Sequence, residues 1–118
     1  MRHTEVGRRG EEIARIFLEE RGYRIVKQND KNRFGEIDII ALKNGVLVFV
    51  EVRTKSNEQF GTPEDTITRK KRSTLRKNAL SYTARVRWKG PCSIDAVCIV
   101  LGEDGLASRV THYAGFVS

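Results

Sequence analysis

Hydrophobic residues recur along this chain with two periods, 3.6 and 2, and therefore predict a mixture of helices and strands. Helical spacing runs from Val6 to Arg21 and again, through a strongly basic segment, from Ile67 to Val86. In the second segment one inward stripe is predicted, made of Ile67, Lys71, Leu75, Ala79, Tyr82 and Val86. The segments with a strand pattern are 23–28, 35–43, 46–53, 93–101 and 107–113. The expected order is one helix, three strands, a second helix and two strands. We expect an α/β fold with a mixed central sheet flanked by helices, in a single domain over residues 1–118.

Short polar segments are expected to connect these elements. Gly22 is placed to end the first helix in a left-handed conformation. Residues 29–32, Asn-Asp-Lys-Asn, are predicted to form a loop. Asn44-Gly45 is the preferred dipeptide of a two-residue hairpin turn, and a longer loop is expected over residues 54–66.

Length and composition narrow the class of protein. A chain of 118 residues with 39% hydrophobic residues can bury a core without disulfides or a structural metal. Its longest apolar run, residues 46–50, is far shorter than the roughly 20 residues of a membrane span. Two cysteines are too few for a disulfide scaffold. We therefore expect a cytoplasmic protein that makes no membrane contact.

The positive charge is concentrated in the second helical segment. The chain has a net charge of +7, and between Thr66 and Ile94 there are nine basic residues and no acidic one. Such a patch attracts polyanions, and DNA or RNA is the expected partner, although a merely solvated helix face is the alternative. The candidate nucleic-acid-binding residues are Arg69, Lys70, Arg72, Arg76 and Lys77.

The predicted hairpin brings two acids together. With a two-residue turn, Asp38 faces Glu51 and Glu36 faces Arg53, all on one face of the sheet. Carboxylates directly opposite each other, with Cβ atoms about 4.5–5.5 Å apart, are destabilising unless a cation, a proton or a basic side chain compensates. The other face of the hairpin is expected to carry Ile37, Ile39, Val50 and Val52.

Two interpretations of this acidic pair are open. Carboxylates at this spacing suit Mg²⁺ or Mn²⁺ together with substrate phosphates. Glu11 on the first helix and Lys71 on the inward stripe of the second can both reach the pair. The alternative is a salt-bridge cluster in which Arg53 and a lysine neutralise both acids without a metal.

A set of short motifs is spaced along nearly the whole chain. They are Gly10-Glu11, Gly22-Tyr23, Gly35-Glu36-Ile37-Asp38-Ile39-Ile40-Ala41, Val48-Phe49-Val50-Glu51-Val52-Arg53, Phe60-Gly61-Thr62-Pro63, Lys71 with Leu75 and Ala79, and Ile94-Asp95-Ala96-Val97. Together they resemble the YraN-like family of small bacterial proteins. The resemblance implies a restriction-endonuclease-like fold, with an αβββαβ core related to archaeal Holliday-junction resolvases and tRNA-endonuclease-like proteins.

The same resemblance implies roles for individual residues. Asp38 and Glu51 would be the metal-binding acids of a PD-(D/E)XK motif, with Glu11 as the acid of the first helix. Arg53 stands where that motif has a lysine. From the residues themselves, we expect Arg53 and Lys71 to stabilise charge, with Lys71 or Lys55 taking the role of the missing lysine. The expected function is a Mg²⁺- or Mn²⁺-dependent endonuclease that acts on a phosphodiester backbone, with Glu36 in a supporting role.

Arg53 also motivates a second hypothesis. Arginine stays protonated and cannot serve as a base, so the chain can instead be a catalytically inactive nucleic-acid-binding module of the same fold. A third, weaker hypothesis is a protein–protein adaptor whose basic helix meets an acidic partner. The oligomeric state stays open, since cutting both strands of a junction would require a dimer.

Overall fold

A five-stranded sheet with one helix on each face forms the framework of the protein. The computed structural model describes residues 2–117. The helices are α1 (His3–Glu20) and α2 (Arg69–Val86), and the strands are β1 (Arg24–Asn32), β2 (Gly35–Lys43), β3 (Val46–Lys55), β4 (Cys92–Leu101) and β5 (Ala107–Val117). The strands lie in the order in which they occur along the chain. The predicted α/β fold with a mixed sheet is confirmed.

The sheet is mixed because one connection is a crossover. β3 and β4 are parallel, and α2 runs between them in the chain, as a parallel pair requires. The other neighbouring strands are antiparallel. Neither helix within residues 2–117 is long and apolar enough to cross a membrane.

Each helix covers its own face of the sheet. Ala14 and Leu18 of α1 pack on one cluster of buried residues from β2, β3 and β4. Leu75, Ala79 and Tyr82 of α2 pack on a second cluster on the opposite face. The inward stripe predicted for α2 is therefore confirmed for these three residues, but Val86 at its end is 48% exposed.

Gly10 lets α1 approach the sheet closely. A Cβ atom at Gly10 would lie 1.7 Å from Oγ1 and 2.7 Å from Cβ of Thr54 on β3, so any larger side chain would force the helix outward. Gly10 is buried, and its neighbour Glu11 is only partly buried. The close contact between Gly10 and Thr54 therefore fixes the distance between Glu11 and the sheet.

The hairpin between β2 and β3 has the predicted turn and register. Asn44 and Gly45 both have positive φ angles, 51° and 79°, as a type I′ turn requires. Lys43 pairs with Val46, and the register continues unchanged to Ile39 and Val50. Gly22 likewise has a positive φ of 88° just after α1, as predicted.

The loop predicted over residues 29–32 is wrong, because β1 continues to Asn32. Asp30 pairs with Ile37 of β2 and is only 1% exposed. It accepts two hydrogen bonds from Arg85 of α2, at 3.1 and 2.9 Å, and forms an ion pair with Lys27 at 2.8 Å. Burial alone would raise the pKa of Asp30, but these contacts hold it below its ordinary value. The polar residues 29–32 can thus belong to a strand because the charge of the buried Asp30 is neutralised by Lys27 and Arg85.

Other boundaries differ by a few residues. α1 begins at His3 rather than Val6, since its first turn needs no apolar face. β3 and β5 extend further than predicted, to Lys55 and Val117. The predicted loop before α2 contains a short 3₁₀ helix, Glu64–Thr66.

Candidate active site

The ladder between β2 and β3 opens at Asp38. Regular pairing ends at Ile39 and Val50, and beyond it Asp38 Oδ2 accepts a hydrogen bond from the backbone N–H of Val52 at 2.8 Å. A side-chain oxygen thus takes the place of a backbone carbonyl, which lets the two strands separate. Beyond this point the two strands are not paired with each other.

The alternation of faces along β2 breaks at the same place. Ile39, Val50 and Val52 pack in the cluster beneath α1, whereas Ile37 packs in the cluster beneath α2. The prediction that all four share one face is therefore wrong for Ile37. The physical reason is that strict alternation holds only while the ladder is regular, and Asp38 interrupts it.

Glu51 is held by two basic side chains. It is only 3% exposed, and its Oε2 accepts hydrogen bonds from Arg53 Nη2 at 2.8 Å and Nε at 3.1 Å. Lys71 Nζ lies 3.2 Å from the same oxygen. Lys71 thus has the acidic partner expected for a lysine on the inward stripe of α2. Two cations facing one buried carboxylate leave positive charge beside Glu51.

Glu36 lies with Glu11 rather than with Arg53. Asn29 Nδ2 donates hydrogen bonds to Glu11 Oε1 at 2.7 Å and to Glu36 Oε1 at 2.6 Å. The predicted pairing of Glu36 with Arg53 is therefore wrong, because the ladder that would impose it has already ended. Asn29 itself has a left-handed φ of 52°, which asparagine adopts more readily than most residues.

Sequence reasoning missed Asn29 as a site residue. The one signal it offers is an asparagine in a polar run, and that pattern is far more common in ordinary loops. Its role as a bridge depends on α1 and β2 meeting at this point, which the local sequence does not encode.

Three carboxylates meet at the opening. Oxygen atoms of Glu11, Glu36 and Asp38 lie within 4.8 Å of one another, and all three side chains are partly buried. Burial, then the charge of Glu51 and a hydrogen bond with it, raise the pKa of Asp38 to about 9, and the charge of Glu11 adds to this. Asp38 is therefore protonated at neutral pH unless a cation offsets the surrounding negative charge.

This donor set fits a hard divalent cation. It consists of carboxylate oxygens, the ligands that Mg²⁺ and Mn²⁺ prefer, and added positive charge would favour ionisation of Asp38, whose pKa is raised. The group contains Glu11 and Asp38 of the predicted ligand set and adds Glu36. Glu51 adjoins it through its hydrogen bond with Asp38.

The predicted nucleic-acid-binding residues all lie on the exposed surface of α2. They are Arg69, Lys70, Arg72, Arg76 and Lys77. Lys71 on the same helix turns inward to Glu51, so the exposed basic surface starts next to the carboxylates. Arg85, at the far end of α2, forms an ion pair with Asp30, which offsets part of its charge.

A third buried acid, Asp95 on β4, holds two strands together. It is 2% exposed and accepts hydrogen bonds from Ser93 Oγ at 2.5 Å and from the backbone N–H of Gly115 at 2.9 Å. Its Oδ2 lies 2.8 Å from Nε2 of His112 on β5. These contacts fasten β5 to β4, which explains the acid in the fourth-strand motif without a catalytic role.

Comparison with known proteins identifies the family. The model of the uncharacterised protein family UPF0102 matches residues 10–99. A UPF0102 protein of Symbiobacterium thermophilum is 45% identical over 101 residues, which cover 85% of this chain and 86% of the relative. A UPF0102 protein of Syntrophomonas wolfei is 38% identical over 111 residues, covering 93% and 95% of the two chains. The chain belongs to UPF0102, the YraN family that its motifs resemble.

Proposed function

We propose that this protein is a metal-dependent nuclease-like protein that binds DNA or RNA along α2 and acts on the phosphodiester backbone at the opening of the β2–β3 ladder. The proposal rests on the different surroundings of two neighbouring acids, Glu51 and Asp38. Glu51 has both cations, Arg53 and Lys71, whereas Asp38 is left among Glu11 and Glu36 with a pKa of about 9. A site with this excess of carboxylate favours binding of a divalent cation.

Each side chain has a distinct part in this proposal. Glu11, Glu36 and Asp38 would hold Mg²⁺ or Mn²⁺, with Glu51 next to them. A divalent ion in such a site supplies Lewis-acid polarisation of a phosphate and lowers the pKa of a bound water. Arg53 and Lys71, which Glu51 holds in place, would stabilise the negative charge that develops on the phosphate.

The exposed basic residues of α2 would bind the rest of the nucleic-acid backbone. Contacts with phosphates release counterions, so affinity for DNA or RNA should fall steeply as salt rises. An affinity that stays flat between low and moderate salt, or binding to an acidic protein in place of nucleic acid, would contradict this part of the proposal.

The decisive experiment is calorimetric titration of the purified protein with MnCl₂. Wild type, Asp38→Asn and the surface control Glu103→Gln are compared, because Glu103 is an exposed carboxylate in the turn between β4 and β5. The proposal expects binding in wild type and control and its loss in Asp38→Asn. A cleavage screen with duplex, nicked, branched and single-stranded substrates should then show the same ranking of variants. Equal Mn²⁺ binding by all three proteins would refute the metal site.

One observation favours a second candidate, a catalytically inactive binding module. Arg53 directs both Nε and Nη2 at Glu51 and cannot act as a base, so Glu51 is neutralised without a metal. In that case Asp38→Asn should bind nucleic acid as tightly as wild type or more tightly, since it removes only potential negative charge. Mn²⁺ should change neither affinity nor substrate integrity.

A further inference from the structure

A cavity of about 470 Å³ lies between the N-terminal end of α1 and the segment that follows β3. Among its lining residues are His3, Arg53, Lys55, Asn57 and Phe60, and within residues 2–117 no carboxylate lines it. The cavity therefore combines cationic and hydrogen-bonding groups with an aromatic ring.

Arg53 connects this cavity to the candidate active site. Its guanidinium contacts Glu51 at 2.8 Å, and the same side chain lines the cavity. A nucleic-acid strand with one phosphate at the carboxylates would therefore pass a neighbouring nucleotide along the cavity.

Phe60 is the most exposed large apolar side chain among the described residues. Its exposed fraction is 87%, compared with 64% for Leu80, the next in rank. A phenylalanine that buries almost none of its ring contributes little to folding stability. Its ring is therefore free to stack on a flat partner.

Hydrogen bonds hold the segment that follows Phe60 in place. The backbone N–H of Thr62 donates to Asp65 Oδ2 at 3.0 Å, and the backbone N–H of Asp65 donates to Thr62 Oγ1 at 3.2 Å. Glu64 accepts hydrogen bonds from Arg109 Nη1 at 2.7 Å and Tyr113 Oη at 2.6 Å. These contacts attach the segment to β5, so the exposed ring of Phe60 lies next to a well-anchored part of the chain.

We propose that this cavity takes one unpaired nucleotide of the bound strand, with its phosphate against Arg53 and Lys55 and its base stacked on Phe60. The proposal rests on the nucleic-acid binding inferred above. A base inside a continuous duplex is already stacked and paired, so the ring can reach only a base that is unpaired. The protein should therefore prefer nucleic acids that contain an unpaired segment over uninterrupted duplex.

The test measures binding by fluorescence anisotropy with the full chain in the presence of a chelator. Probes are a short oligodeoxythymidine, its RNA equivalent, a blunt duplex and a duplex with a single-stranded gap. Removal of a stacking aromatic typically weakens single-strand binding about 5- to 150-fold. Phe60→Ala should show such a loss on the single-stranded and gapped probes and change duplex binding less than about twofold.

Matched variants separate stacking from other effects. Phe60→Tyr keeps a ring and should bind like wild type, and Leu106→Ala removes another exposed apolar side chain, 58% exposed in the turn before β5, and should also bind like wild type. Because Phe60 is so exposed, Phe60→Ala should fold normally, which circular dichroism checks. A 2-aminopurine placed in the single-stranded probe should lose fluorescence on binding to wild type and not on binding to Phe60→Ala.

The outcomes also separate this inference from the proposed nuclease. Equal binding of Phe60→Ala and wild type to single strands, or an equal loss on single strands and duplex, overturns the unpaired-nucleotide site. If wild type binds none of the probes, both proposals fail. If wild type shows the aromatic-dependent preference yet binds no Mn²⁺, the site stands and only the metal-dependent activity fails.

Discussion

Replacement of Asp38 by asparagine should stabilise the metal-free protein, although it removes a residue proposed to bind metal. Burial and the nearby carboxylates raise the pKa of Asp38 to about 9 in the folded protein. In the unfolded chain this carboxyl ionises near its ordinary value of 3.8. Asparagine has nearly the same shape and can still accept the hydrogen bond from the backbone N–H of Val52.

The magnitude follows from linkage between protonation and folding. Because the folded pKa lies above the unfolded value, the folded state holds one more proton between pH 3.8 and about 9, and stability falls as pH rises through that interval. At pH 7 the cost is at most about 4 kcal/mol, from roughly three pH units at 1.36 kcal/mol each. Asparagine avoids this cost but replaces the proton-mediated contact with Glu51 imperfectly, so we expect a gain of about 1–4 kcal/mol.

Chemical denaturation at several pH values, without and with Mg²⁺, measures this effect. At pH 4 Asp38→Asn should be as stable as wild type or less stable by up to about 3 kcal/mol, because only the imperfect contact with Glu51 counts there. The difference should shift in favour of the variant as pH rises and level off above about pH 9. At pH 7 its thermal midpoint should lie about 4 °C or more above wild type. Saturating Mg²⁺ should stabilise wild type, by about 2.7 kcal/mol at a hundred times Kd, and leave the variant unchanged.

Two results would refute this reasoning. One is an Asp38→Asn protein that is less stable than wild type at pH 7 without metal. The other is an advantage that does not change between pH 4 and pH 9. The surface control Glu103→Gln should differ from wild type by less than about 0.5 kcal/mol throughout.

Further substitutions test the packing of α1, the buried ion pair of Asp30 and the basic surface of α2. Gly10→Ala should lower the free energy of unfolding by about 1–3 kcal/mol through its clash with Thr54, and Thr54→Ala should recover part of that loss in the double variant; additive effects in urea denaturation would contradict this. Arg85→Ala should cost about 1–3 kcal/mol at pH 7, because Asp30 keeps only its exposed lysine partner. Since the pKa of Asp30 is lowered in the folded state, this loss should shrink as pH falls below 3.8, and a loss independent of pH would exclude the ion pair as its cause. Lys77→Ala should weaken DNA binding and reduce its salt dependence by about one counterion, whereas an unchanged salt slope would remove Lys77 from the interface.

The sequence was most informative where local chemistry determines geometry. Asn44-Gly45 specifies a type I′ turn, and that turn fixes which residues of β2 and β3 face each other. Counting outward from the same turn predicts that Asp38 and Glu51 lie near each other. Helical spacing in α2 likewise identified Leu75 as buried, since an amphipathic helix on a sheet has only one way to face inward.

Prediction failed where a polar residue has a distant partner. Asp30 reads as part of a loop, because its burial depends on Arg85, which is 55 residues further along the chain. Asn29 bridges Glu11 and Glu36 only because α1 and β2 meet there. Such contacts carry no periodic signal, and a single sequence gives no evidence for them.

The division of charge between Asp38 and Glu51 shows why a motif alone does not define an active site. In the predicted ladder the two acids are equivalent, and both the metal-site and the salt-bridge interpretations treat them as a pair. The structure makes them unequal: α2 crosses the sheet so that Lys71 reaches Glu51, and Arg53 turns back to the same oxygen. Asp38 is directed to the opening, where Glu11 is the nearest acid of α1. The salt-bridge interpretation therefore describes Glu51, and the metal-site interpretation describes Asp38. A cation can bind beside Asp38 while Arg53 and Lys71 keep their positive charge beside Glu51.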